Sequence, residues 1–238
     1  PRDNPAYTDI EMVIAGAQRA ASLTRQMLAY SGKAQVEIHP IDLSKHVREI
    51  AGLLQTTVSK KVQLRLELAP NLPHVEADVA QLQQIVMNLV INGAEAIGEQ
   101  SGHVLVSTGQ QRLDRASVST FLAAESLSEG EFVFLQVQDS GHGMDEATIA
   151  KIFDPFYTTK FQGRGLGLAA VSGIVRAHRG AIQVESSPGR GSSFKIFFPI
   201  AQRAPLNVPV RPASEFHGSG LVLVIDDDPG VRLVARRM

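Results

Sequence analysis

Apolar or small residues at Ile10, Val13, Ala17, Ala20, Thr24, Met27 and Leu28 recur every three or four positions. This is the stripe of an amphipathic helix over residues 10–31, with Gly32 suited to its C-terminal end. No core follows locally, so the stripe must bury itself against another helix, in this protein or in a second copy. Val36 and Ile38 then alternate as a short strand, and Leu43, Val47, Ile50, Ala51 and Leu54 return to helical spacing behind a cap at Asp42 or Ser44. Strict alternation at Val62, Leu64, Leu66 and Leu68 predicts a half-buried strand closed by Pro70. Asp78, followed three positions later by Gln81, opens a long helix to about Ile97 in the manner of a capping box. Buried-type residues fill that helix, yet it carries Asn88 and Asn92.

Strands are expected at 103–112 and 131–138, with a polar insertion or mobile connection from Asp114 to Gly130 between them. A short helix at 146–152 and a longer one from Leu166 to His178, stopped by Gly180, come next. A hairpin then pairs 181–186 with 192–198 around Ser187–Gly191. Neighbouring antiparallel strands in a mixed α and β order favour a two-layer α/β sandwich over a doubly wound parallel sheet. Beyond it, Pro205, Pro209 and Pro212 mark a linker over 201–219. The continuous apolar run Leu221–Ile225, ending at Asp226, Asp227 and Asp228, reads as the first central strand of another domain over 220–238.

Composition mainly excludes. The 23 basic and 24 acidic residues leave a formal net charge of -1, so no global field favours nucleic acid or an anionic membrane. The absence of cysteine removes thiolate nucleophiles, disulfides and cysteine zinc sites. No apolar run approaches the roughly 20 residues that span a bilayer. A start at Pro1 without Met, and an end at Met238 inside a helical pattern, read as a fragment of a longer protein.

Four short elements carry candidate chemistry: Asn88-Leu89-Val90-Ile91-Asn92, Asp139-Ser140-Gly141-His142-Gly143, Phe153-Asp154-Pro155-Phe156 and Gly163-Arg164-Gly165-Leu166-Gly167-Leu168. Two amides four apart share one helix face, and on so apolar a helix they are costly to bury without a ligand. Amide oxygens are neutral hard donors suited to Mg²⁺. A carboxylate ending a strand beside two glycines can accept a hydrogen bond from an exocyclic amine where no Cβ obstructs the approach. Glycines leading straight into a helix leave free N–H groups for an anion. No Gly-Lys-Ser or Gly-Lys-Thr follows, so this is not the usual phosphate loop.

Together, in this order and spacing, the four elements resemble the N box, first glycine box, F box and second glycine box of histidine kinase catalytic domains, which have the Bergerat-type ATP-binding fold. The resemblance spans residues 10–200, and Ser186–Phe194 is similar to the family's final glycine-containing hairpin. It implies that Asn88 and Asn92 hold Mg²⁺ and the triphosphate, and that Asp139 binds the adenine amine. Gly141 and Gly143 would shape the base pocket. Phe153–Lys160 would belong to an ATP lid extending to Arg164, with Lys160 a phosphate contact. Gly163, Gly165, Leu166 and Gly167 would present the helix start to phosphate. Asn88 and Lys160 are the candidate catalytic residues, with ATP and Mg²⁺ as the implied cofactors. The helix at 10–31 resembles the second helix of a dimerisation hairpin, giving domains at 1–33 and 34–200. Residues 220–238 are similar to the start of a response-regulator receiver, with Asp226 and Asp227 at its metal-binding positions.

The implied protein is a cytoplasmic or membrane-anchored hybrid sensor kinase that pairs with a second copy through the first helix, signals to a receiver domain, and binds no nucleic acid. Gly93 and Glu95 depart from the family, which often has Ala and a basic residue there. None of the seven histidines, His39, His46, His74, His103, His142, His178 and His217, suits the phosphoacceptor. All read as surface or structural residues, and the acceptor is expected upstream of Pro1. ATP-hydrolysing relatives such as gyrase B and heat-shock chaperones carry a Glu where this chain has Asn88, and an amide cannot serve as that base. A nucleotide-sensing or scaffolding module without turnover is the remaining alternative.

Overall fold

The computed structural model describes residues 37–54, 58–59, 61–114, 121–122, 129–160 and 165–201, with Val13 in a helical conformation. The chain divides into two units, Pro1–Pro205 and Leu206–Met238, and every described residue lies in the first. Apart from Val13, the helix expected over 10–31 lies outside the described residues. So do Gly163, the linker beyond Ala201 and the run Leu221–Asp228.

The elements run β1 (His39–Ile41), α1 (Leu43–Leu54), β2 (Val62–Leu68), β3 (Val75–Ala77), α2 (Val79–Ile97), β4 (Gly102–Leu113), β5 (Gly130–Asp139), α3 (Glu146–Ile149), α4 (Gly167–Ala177), β6 (Ala181–Ser186) and β7 (Ser192–Pro199). Five strands form one sheet in the order β2-β4-β5-β7-β6, parallel between β2 and β4 and antiparallel elsewhere. α2 packs against β4 and β5 and against both α1 and α4, which makes helices the second layer of the expected sandwich. Leu82, Ile85, Val86, Leu89 and Val90 of α2 are buried against Val104, Val106, Leu135 and Val137 of the sheet. Each such side chain contributes about 1.5–3 kcal/mol. Among the described residues no helix is long and apolar enough to cross a membrane.

Three local expectations shift. The first strand begins at His39 and pairs antiparallel with β3, a strand the periodicity did not suggest. Tertiary burial decides this, because Ile41, Val75 and Ala77 go into the core while Ile38 stays 42% exposed. α3 stops at Ile149 rather than 152. The connection between β4 and β5 is anchored at its middle: Leu122 exchanges two backbone hydrogen bonds with Ile182, and Phe121 stacks on Phe197 with centroids 5.1 Å apart.

Caps resolve as side-chain geometry. Asp42 Oδ1 accepts from Lys45 N–H at 3.0 Å, so Asp42 caps α1. Ser44 instead donates to the Ala69 carbonyl at 2.7 Å, which leaves Thr108 to donate to the Ser44 hydroxyl. At α2, Asp78 Oδ1 accepts from Gln81 N–H at 3.0 Å, half of a capping box. The other half is displaced, because the Asp78 N–H donates to His178 Nε2 at 3.0 Å and Gln81 Oε1 is buried without a partner. His178 Nδ1 lies 2.8 Å from the Ile174 carbonyl and must donate to it, so the ring is held as one neutral tautomer. His178 is thus structural, tying the end of α4 to the start of α2.

Candidate active site

A cavity of about 440 Å³ opens between the second half of α2, the end of β5, residues 157–160 and the first turn of α4. Its lining includes Asn92, Asp139, Lys160, Gly165, Leu166 and Gly167, so six of the expected site residues converge there.

Asp139 ends β5 and is buried, 6% exposed, at the inner wall. The Gly141 N–H donates to its Oδ1 at 2.8 Å. Burial pushes the Asp139 carboxyl above its ordinary value, opposed by backbone hydrogen bonds from Gly141 and Ser192 and by the nearby positive charge of His142 and Lys160. A carboxylate held this way retains lone pairs for a donor entering from the cavity. Gly141 itself lies behind the wall, where a Cβ would come within 2.7 Å of the Ala96 backbone. Its missing side chain lets the strand end press onto α2. Gly143 also stands behind the wall, against the Ser187 carbonyl. The two glycines therefore shape the pocket from outside it.

At the opposite end, Asn88 Nδ2 donates to the Gly167 carbonyl at 3.1 Å and ties the amide-bearing face of α2 to the start of α4. Asn92 Oδ1 accepts from Lys160 Nζ at 3.3 Å, and Lys160 also pairs with Glu95, one turn along α2. Leu166, the residue before α4, makes no side-chain cap hydrogen bond, so the first N–H groups of the helix are not capped by a side chain. Gly165 accepts from the Phe156 N–H at 2.9 Å, joining the F-box segment to the glycine turn. Phe156 sits in the left-handed region with φ 69 and leaves its ring 65% exposed.

Further lining residues were given no individual role by the sequence, although Tyr157, Thr158 and Thr159 fall in the expected lid and His142, Leu168 and Phe194 in the quoted motifs. Met144, Ile152, Leu168 and Phe194 supply apolar lining, and His142, Tyr157, Thr158 and Thr159 supply polar lining. For Met144 and Ile152 the signal was only adjacency to the boxes, and for Phe194 its place on the inward face of β7. Among the described residues no group of three or more His, Cys, Asp or Glu is placed to hold a metal. Neutral oxygens are offered by the amides of Asn88 and Asn92. Two neutral oxygens fit an ion such as Mg²⁺ that keeps several waters and completes its shell with phosphate.

This fold and pocket define a protein class, the ATP-binding catalytic domains with a two-layer α/β sandwich. Residues 77–202 match the family described as histidine kinase-, DNA gyrase B-, and HSP90-like ATPase, and the chain belongs to it. It is 34% identical to the sensor kinase CckA of Brucella abortus (strain 2308), over 97% of this chain and 25% of that protein. It is 31% identical to the sensor histidine kinase ZraS of Escherichia coli (strain K12), over 84% of this chain and 39% of that one. The crystal structure of full-length ShkA in complex with AMPPNP superposes with a TM-score of 0.63 at 26% identity, covering 83% of this chain and 39% of the other. The chain thus spans between a quarter and two fifths of the length of these relatives. Within the family it is of the sensor histidine kinase kind, an ATP-binding catalytic domain.

Proposed function

We propose that this pocket takes ATP with its adenine at Asp139 and its phosphates toward Asn92, Lys160 and the start of α4, and that the γ-phosphate passes to a histidine upstream of Pro1. The observation that carries this reading is the convergence of a buried carboxylate, the Asn92 amide, an ammonium and an uncapped helix start on one cavity, with the second amide, Asn88, outside the lining but hydrogen-bonded to Gly167 at that helix start. Phosphoryl transfer requires positioning and charge neutralisation rather than a protein nucleophile in this domain. The acceptor nitrogen forms the new bond to phosphorus as the bond to the ADP oxygen breaks.

Mg²⁺ fits the donor set and would be held by Asn88 and Asn92. Asn88, whose Nδ2 is engaged at Gly167, keeps its Oδ1 for a ligand. When bound, the ion supplies neutralisation of phosphate charge. Asn88 in place of a carboxylate also argues against water activation at this position. The similarity to CckA and ZraS supports a signalling kinase. In the intact protein, domains at 1–33, 34–200, 201–219 and 220–238 would supply a dimerising helix, the catalytic domain, a linker and the start of a receiver. The partners are a second copy and a receiver domain, with the catalytic domain in the cytoplasm.

Titration calorimetry with ATP, ADP and GTP in the presence of Mg²⁺ tests the site, and adenine nucleotides should bind in preference to GTP. Incubating a chain extended upstream with ATP labelled on the γ-phosphate tests transfer. Acid-labile, alkali-stable label is expected on the extension, and binding without any label would leave a nucleotide sensor.

A further inference from the structure

From the position of Lys160 we infer that Glu95 is a positioning residue that latches the lid lysine over the cation site and must release it when a metal–nucleotide enters. The inference rests on the nucleotide reading above. Lys160 Nζ touches Asn92 Oδ1 at 3.3 Å and pairs with the Glu95 carboxylate, so one ammonium bridges two residues on successive turns of the same helix. Asn92 Oδ1 is also an oxygen to which a metal would bind. A divalent ion at roughly 2 Å from that oxygen and an ammonium on the same atom repel one another, so the two cations exclude each other there.

The chemistry of Glu95 follows. Its carboxylate lines the same cavity, where its charge opposes a triphosphate, and Lys160 neutralises it. On α2 the phosphate end thus receives an anion, and the loop brings the cation. Metal and phosphate entering together offer the ammonium a stronger anion than Glu95 and take its place at Asn92. Lys160 then transfers to phosphate and carries residues 157–160 with it, because these residues line the cavity from one continuous loop. Lid position and metal binding become coupled through one side chain. Both members are partly exposed, with Lys160 at 34% and Glu95 at 52%, so the latch is weak enough to be exchanged.

A double-mutant cycle on the 238-residue chain separates this from simple repulsion of phosphate by Glu95. Calorimetry with Mg²⁺ and ATP is run on wild type, Glu95→Gln, Lys160→Met and the double variant, each first checked by thermal melting. Glu95→Gln should tighten ATP roughly two- to fivefold, the range of a partly exposed ion pair. Lys160→Met should weaken it. Hydrogen exchange without nucleotide should be faster across residues 157–160 in Glu95→Gln than in wild type, and Glu95→Gln should add nothing to the exchange of Lys160→Met. An unchanged or weakened Glu95→Gln, exchange unaltered by Glu95→Gln, or exchange that it still speeds in the Lys160→Met background each overturns the latch. No binding by wild type would instead overturn the nucleotide reading itself, and the exchange comparison would still decide whether Glu95 holds the lysine.

Discussion

At the Asp139 end of the pocket the polar groups hang on buried backbone, whereas at the Lys160 end they hang on a partly exposed ion pair and a loop. Asp139 closes β5, pairs in register with Ser192 of β7, and is held by the Gly141 N–H. Lys160 belongs to no regular element and keeps its place through Glu95 and Asn92. The difference separates two tasks. Recognition of a flat base needs groups that do not move, since a displaced donor or acceptor loses most of its hydrogen bond. Enclosing a phosphate chain that must also leave needs groups whose alternative partners are nearly as good.

The sharpest way to break this contrast is at the glycines. Gly191 has φ 75, and a Cβ there would stand 1.9 Å from the Asp139 carbonyl oxygen, so Gly191→Ala should destabilise the domain by on the order of 3–5 kcal/mol in urea denaturation. Gly167, at the phosphate end, would bring its Cβ only to 3.7 Å from the Asn88 side chain, and Gly167→Ala should change stability by less than about 1 kcal/mol. Equal losses at the two positions would show that the ends are equally rigid.

Asp139→Asn comes next. It replaces a charge-assisted acceptor, so adenine nucleotide binding should fall by about 1.5–3 kcal/mol by calorimetry. Stability should hold or rise, because burial raises the folded-state pKa of Asp139 and its ionisation therefore opposes folding at neutral pH. A variant that binds normally would remove Asp139 from base recognition. One that melts well below wild type would make it a structural residue.

The histidine clamp gives a smaller, pH-dependent effect. Desolvation lowers the His178 pKa below 6.5, against the hydrogen bond to Ile174 and the charge of Asp78. A base with a depressed folded-state pKa binds its proton preferentially in the unfolded chain. Its contribution is complete above pH 6.5 and is lost as pH falls from there through the folded-state value. Protonation would also convert Nε2 from acceptor to donor against the Asp78 N–H. Unfolding midpoints of wild type and His178→Gln, measured from pH 7.5 to 5, should differ in slope, with wild type falling more steeply; parallel curves would remove His178 as the group responsible.

The smallest expected change is at Phe156, whose ring is exposed and whose backbone is left-handed. Phe156→Gly should leave the thermal midpoint unchanged or raise stability by up to about 1 kcal/mol, since backbone strain is relieved with little packing lost. A clear loss would mean that the F-box turn is held as firmly as the strand end.

Much of the molecule follows from local pattern. The alternation at Val62–Leu68, the apolar length of α2 and the glycine-bounded hairpin each satisfy a period that a neighbouring layer then buries, so element type and the two-layer sandwich were legible from the chain alone. The four boxes were legible through their resemblance to the family's motifs, and residues of three of them line one cavity. Tertiary structure decided what local pattern cannot encode. Gly167 and Gly191 are the same letter in sequence, and only the distance to a carbonyl 52 positions away distinguishes them. His178 looked like any helix-end histidine until folding brought Asp78, 100 residues earlier, to its Nε2. Glu95 read as a missing cation until Lys160, 65 residues later, closed onto it. The physical reason is common to all three. Propensity and periodicity act over one or two turns, whereas steric exclusion, hydrogen-bond satisfaction and charge pairing depend on which distant atoms packing brings within about 4 Å.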